Sequence, residues 1–214
     1  MVFTLRKDSS QLLICLTGGV ASGKTVVSNC FAENGVDVID TDILSRRVVE
    51  VGSDGLSELV TAFGSQILDS NNALNRSYLR RLVFQDKESL LKLNSILHPR
   101  IRHELLKQLD TSTSKIIVVV VPLYSGQQEY GFFDRVCVVD VSEDVQLSRL
   151  MERDSIEVRL AKDMVNSQIS RKARLELGND VITNNGSLSQ LKLNAFVMLG
   201  AYTLMHDYNN QACQ

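Results

Sequence analysis

Five short apolar runs punctuate the chain: Leu12–Leu16, Val36–Asp40, Ile116–Val121, Val136–Val141 and Asp180–Ile182, most of them rich in Val or Ile. Strands covered on both faces read this way, which is the habit of a parallel sheet. Between most of these runs apolar residues return every three or four positions. That period predicts helices opening at Lys24 and near Asp42, then over Ser77–Phe84, Lys87–Leu97 and Ile101–Leu109. Further helices are predicted over Val145–Glu152, Val158–Glu176 and Leu188–Asp207. His98-Pro99 is expected to separate two of them, with Pro99 at a first helical position and His98 at the cap. Strands alternating with helices give an α/β fold whose parallel strands are joined by right-handed crossovers. The helical stretch from Ile43 to about Asp110 is too long for one crossover. It predicts a helical subdomain inserted into the sheet. We find no internal repeat and no low-complexity segment.

Composition bounds this picture without changing it. A chain of 214 residues suits one α/β domain with an inserted subdomain and is short for two domains with separate cores. Its 22% charged and 44% apolar residues are the ordinary mix of a globular protein. A formal net charge of −2 gives no reason to expect nucleic acid or an anionic membrane as partner. Cys15, Cys30, Cys137 and Cys213 are scattered, with no pair at metal-ligand spacing, so reduced thiols and a cytoplasmic setting are expected. The start lacks the apolar core of a signal peptide, and Ile116–Val121 falls far short of the ~18 residues of a membrane span. Oligomeric state is left open.

The candidate chemistry begins after the first strand. Gly18-Gly19-Val20-Ala21-Ser22-Gly23-Lys24-Thr25 has the phosphate-loop spacing, four residues separating Gly18 from Gly23, and it stands between a strand and a helix. Glycines remove side chains that would keep a phosphate from the backbone. The amides then gather at the positive end of the following helix. Gly18, Gly19, Ala21, Ser22, Gly23, Lys24, Thr25 and Val26 are therefore candidate contacts to a nucleoside triphosphate. Lys24 would reach the β- and γ-phosphates, and the Thr25 hydroxyl would bind Mg²⁺.

Asp40 and Asp42 close the second strand at the carboxyl edge, where ligands bind in open α/β sheets. A carboxylate there can orient an attacking hydroxyl or hold a water of the Mg²⁺ shell. Asp42 can equally N-cap a helix opening at Ile43. The third strand runs into Pro122-Leu123 without the acid that holds the metal in many ATPases. That points to a small-molecule kinase. Arg149 and Arg153, four apart on one helix face, can neutralise a phosphoryl group in transit; Arg171 and Arg174 form a second such pair. The polar segment Met151–Arg171 could close as a lid that excludes water. Of the three histidines only His98 is a candidate for substrate contact. On the residues alone, the acceptor could be another small hydroxyl compound such as a nucleoside monophosphate, shikimate or gluconate. A catalytically impaired ATP-binding regulator is the other alternative.

The chain also resembles a known family. LTGGVASGKT (16–25), VIDTDILSRRVVE (38–50), LNRSYLRRLVF (74–84), LNSILHPRI (93–101), VVVPL (119–123), VVDVSEDVQLSRLMERD (138–154), SQISRKARL (167–175) and NDVITNNGS (179–187) follow the order seen in dephospho-CoA kinases. The resemblance implies transfer of a phosphoryl group from ATP to the 3′-hydroxyl of the dephospho-CoA ribose, the last step of coenzyme A biosynthesis. It implies a P-loop kinase fold of five parallel strands forming one domain over 1–214, with its core at 12–42, 115–150 and 172–214. A helical CoA-binding insertion would span 43–114 and a lid about 151–171. Carried over by motif, Asp42 is the base or the group that orients the hydroxyl, Lys24 and Thr25 serve the phosphates and Mg²⁺, and Arg149 and Arg153 serve the nucleotide. Asn184 and Gly186 lie near adenine, and Asp40, Arg46, Arg76 and His98 are on the acceptor side. Two departures stand out: Gly126 occupies the position of the family's usual acid, with Glu129 three residues on, and Val51 replaces a proline.

Overall fold

The computed structural model describes residues 11–84, 86–126 and 131–212. Strands β1 (Leu12–Gly18), β2 (Asp37–Asp40), β3 (Ile116–Val120), β4 (Arg135–Asp140) and β5 (Asp180–Thr183) form one parallel sheet in the order β2-β3-β1-β4-β5. All five predicted strands are present, each within two residues of its expected ends. Every residue of β1 and β3 is buried, which is why neither run alternates in polarity. Leu12, Ile14 and Leu16 of β1 pack with Val27 and Phe31 of α1 (Lys24–Glu33) and with Leu191, Ala195 and Tyr202 of α9 (Leu188–Ala212). From β1 the chain passes to the far strand on one side, returns through β3, and then crosses to β4 on the other side. Connections therefore diverge at the carboxyl end of β1, the place where an open α/β sheet leaves a crevice.

The chain divides into two compact units. One holds the sheet, with the chain up to Asp40 and from Ser112 onward; the other is Thr41–Thr111. The second comprises α2 (Thr41–Arg47), α3 (Asp54–Phe63), a 3-10 turn (Ser65–Ile67), α4 (Arg76–Phe84) and α5 (Lys87–Thr111). It has its own core of Val49, Leu59, Phe63, Ile67, Leu79, Val83 and Ile96.

Helix boundaries depart from the sequence reading in four places. Helix α3 was not predicted, because Gly52 and Gly55 frame its start like a turn. Ser53 nevertheless caps it by accepting from the Leu56 N–H at 3.2 Å, and Gly55 is buried where a Cβ would collide with the Val48 carbonyl. The expected break at His98-Pro99 is absent: α5 runs unbroken through Pro99. Proline removes one backbone donor, but burial of Ile96 before it and of Leu105 and Leu109 after it holds both halves. His98 is thus an exposed mid-helix residue and no cap. Asp42 does not cap a helix at Ile43 either, since α2 opens one residue before it and places it in the first turn. Finally, the single helix expected over Val158–Glu176 is two, α7 (Val158–Asn166) and α8 (Arg171–Leu177). Two serines break it: Ser167 Oγ donates to the Met164 carbonyl at 2.8 Å, and Ser170 Oγ accepts from the Ala173 N–H at 3.1 Å. Helix α6 (Glu143–Asp154) precedes them and ends at Ser155 in the left-handed conformation, φ 52°. No helix among the described residues is long and apolar enough to cross a membrane.

Candidate active site

The loop from β1 to α1 is shaped by its backbone. Gly23 takes φ 95° and Ala21 φ 57°, and the Ser22 N–H closes the turn on the Gly19 carbonyl at 3.1 Å. No side chain caps α1 and no acid lies in its first turn, so the positive helix end is not neutralised locally. Lys24 folds back over the loop, its Nζ donating to the Gly18 and Gly19 carbonyls at 2.8 Å each. Thr25 is exposed one residue on, and Val26 donates to the Gly23 carbonyl at 3.0 Å.

The turn after β5 seals the loop from below. Asn184 is buried; its Nδ2 donates to the Ser22 carbonyl at 2.8 Å and its N–H to the Asp140 carbonyl at 2.7 Å. A Cβ at Gly23 would sit 2.5 Å from Asn184 Nδ2, so glycine is required there for close approach as well as for φ. Arg149 of α6 donates to the Asn184 carbonyl at 3.0 Å and the Gly186 carbonyl at 3.3 Å. Lys24, Ser22, Asn184, Gly186 and Arg149 are thus one connected set. Arg153, expected beside Arg149, instead grips its neighbour Asp154 with two bonds of 2.7 and 2.8 Å and is largely exposed.

Two contributors were missed from the sequence, Gln146 and Gln168, and a third, Arg174, was read there as paired with Arg171. Gln146 of α6 is buried and donates to the Val20 carbonyl at 2.8 Å. Gln168, between α7 and α8, accepts from the Val20 N–H at 3.0 Å. Arg174 is buried beside Gly19, and burial lowers its pKa from the usual value against the opposing charge of Asp140. A polar Gln146 on the buried side of α6, four residues before the buried Leu150, was the available signal. Arg171 is committed to Asp140 at the end of β4, with bonds of 2.8 and 2.7 Å. Beside Arg174 a cleft of about 190 Å³ is lined by Pro122–Ser125 and Ser167–Ile169. Gly126 follows with φ 78°, a conformation an acid there would adopt only under strain; Glu129 lies outside the described residues.

At the carboxyl edge Asp40 is the last residue of β2, in register with Val120. In the helical unit, Arg76 Nη2 lies 3.5 Å from the Arg46 carbonyl, and burial first, then the Arg46 charge, lowers the Arg76 pKa. Two cations gathered in this way favour an anion between them. His98 is an exposed residue in the middle of α5.

The profile of the family described as Dephospho-CoA kinase matches residues 12–190. A Dephospho-CoA kinase of Shewanella oneidensis is 37% identical over 201 residues, 94% of this chain and 98% of the relative. That of Aggregatibacter actinomycetemcomitans is 44% identical over 178 residues, 83% of this chain and 86% of the relative. Among solved structures, TT1252 from Thermus thermophilus superposes with a TM-score of 0.79 at 25% identity, covering 89% of this chain and 97% of that one. With a five-stranded parallel sheet, a phosphate loop at its central strand and this likeness along most of its length, the chain belongs to the dephospho-CoA kinase family of enzymes.

Proposed function

We propose that the chain transfers the γ-phosphoryl group of ATP to the 3′-hydroxyl of dephospho-CoA, releasing CoA and ADP. The observation that carries this reading is the phosphate loop itself: an uncapped helix start, Lys24 held over the loop by two carbonyls, and a backbone sealed by Asn184. Lys24 would leave those carbonyls for the β- and γ-phosphates, a shift between two oxygen partners of similar reach. Asp42 would accept the hydroxyl proton as the ribose oxygen bonds to phosphorus and the bond to the ADP oxygen breaks. Arg149 would fix the turn that carries Asn184 and Gly186 against adenine. Arg153 would take part only by releasing Asp154. Arg46 and Arg76 would hold the acceptor's pyrophosphate, with Asp40 and His98 as weaker candidates on that side.

Among the described residues no three His, Cys, Asp or Glu side chains gather to hold a metal alone. Mg²⁺ arriving on the nucleotide would take one or two protein oxygens, from Thr25 and Asp42, and neutralise phosphate charge. The segment 151–171 would act as the lid and exclude water. ADP release measured with and without dephospho-CoA tests the assignment: release should depend on dephospho-CoA, and shikimate, gluconate and nucleoside monophosphates should not replace it. ATP binding without dephospho-CoA-dependent ADP formation would sink it.

A further inference from the structure

We infer that Gln146 and Gln168 are positioning residues that set the phosphate loop by clamping the two peptide planes on either side of Val20; the inference rests on the nucleotide reading of that loop. The bond roles follow from the backbone. The Val20 N–H can only donate, so Gln168 presents Oε1 to it at 3.0 Å; the Val20 carbonyl can only accept, so Gln146 presents Nε2 at 2.8 Å. In a trans peptide the C=O and the following N–H point in opposite directions. Holding the Val20 N–H on the Gln168 side therefore turns the Gly19 carbonyl to the other side, where it receives Lys24 Nζ at 2.8 Å and the Ser22 N–H at 3.1 Å. Holding the Val20 carbonyl toward Gln146 likewise aims the Ala21 N–H away from α6. Ala21 has φ 57°, a conformation an alanine does not hold unaided.

The clamp is tight and has its own support. A Cβ on Gly19 would stand 2.5 Å from Gln146 Nε2 and 2.9 Å from Arg174 Nη1. Arg174 in turn bonds the Ile169 carbonyl at 2.9 Å and reaches Gln168 Oε1 at 3.4 Å, so the buried guanidinium orients the jaw that receives Val20. One jaw comes from α6 after β4 and the other from the connection between α7 and α8. The two glutamines thus act through Val20.

Calorimetric titration with Mg·ATP, together with kcat and KM, tests this on the full chain. Gln146→Met and Gln168→Met keep volume and remove the polar atoms; each should weaken ATP binding at least about tenfold. Gln168→Glu keeps an acceptor for the Val20 N–H and a partner for Arg174, and should recover affinity to within about threefold of wild type. Gln146→Glu has no donor for the Val20 carbonyl and should not recover it. A role in packing alone would make both Glu variants behave alike, or leave ATP affinity at the wild-type value in every folded variant; either result overturns the clamp. If a Met variant does not fold, the two Glu variants decide by the same contrast. A wild-type chain that binds no ATP removes the nucleotide reading and the clamp together, whereas wild-type binding with unaltered Gln146→Met and Gln168→Met removes the clamp only.

Discussion

The two units handle polar groups in opposite ways. In the sheet unit the long polar side chains around the phosphate loop already have partners: Lys24 on two carbonyls, Asn184 on Ser22, Arg171 on Asp140, and the glutamines on Val20, while the buried Thr17 and Ser22 hydroxyls have none among the described residues. In the helical unit Arg46 and Arg76 are brought together as like charges, and burial first, then the Arg46 charge, lowers the Arg76 pKa. The difference teaches which part is built before its ligand. A loop that binds phosphate with backbone amides must be held rigid by its surroundings, because reorganisation at the moment of reaction is costly. A site that binds phosphate with guanidinium groups can wait for the ligand to satisfy them.

Lys24 offers the hardest blow to this view of the sheet unit. Lys24→Ala should fold, since the Lys24 side chain is only partly buried and stands outside the sheet core, yet lose at least about a hundredfold in kcat through loss of charge on the transferring phosphoryl. A variant with wild-type kcat would break the assignment of the loop.

Asp42→Asn comes next, with kcat expected to fall about a hundredfold while ATP affinity stays close to wild type, since an amide cannot take the hydroxyl proton. Loss of ATP binding in step with activity would assign Asp42 to the metal. Circular dichroism checks a third outcome, in which α2 is destabilised through the loss of an acid from its first turn.

Arg76→Ala and Arg46→Ala sharpen the contrast from the other unit. Each should raise KM for dephospho-CoA about fivefold to tenfold and leave KM for ATP unchanged, as expected when one charge-assisted bond to an anion is lost. Removing Arg46 also relieves the repulsion at Arg76. An equal rise in both KM values would mean that the helical unit does not treat the acceptor separately.

How much of this was legible in the sequence follows the same division. The loop was readable residue by residue, because φ > 0 at Gly23 and close approach at Gly19 and Gly23 leave few residue types that fit. The buried strands were readable because burial on both faces erases alternation. The jaws of the clamp were not, because Gln146 and Gln168 are joined to Val20 across 126 and 148 residues by the fold alone. Arg153 read as a partner of Arg149 from its spacing, whereas Asp154 next door satisfies it without any long-range contact. Pro99 read as a break because local propensity says so, and the buried residues on both sides of it overrule that propensity.

The smallest effect is expected at the opposite end of the sheet from the loop, where Asp180 begins β5. It accepts two bonds from Arg135, at 2.6 and 2.7 Å, and one from Tyr202 Oη at 3.0 Å. Burial pushes its pKa up, but the hydrogen bonds from Arg135 and Tyr202 and the Arg135 charge outweigh it, and the net shift is downward. A carboxylate with a folded value below its unfolded value of about 3.9 stabilises the fold above that pH. That contribution fades as pH falls through the depressed folded value. The thermal midpoint of wild type should therefore exceed that of Asp180→Asn at neutral pH, and the gap should shrink below about pH 4. The KM values of Asp180→Asn should match wild type, because this cluster lies at the amino end of β5 and the loop at the carboxyl edge. A gap that stays constant down to acid pH would show that Asp180 acts by shape rather than by charge. A changed KM for ATP would show that the back of the sheet and the loop are coupled, against the division of labour within the sheet unit.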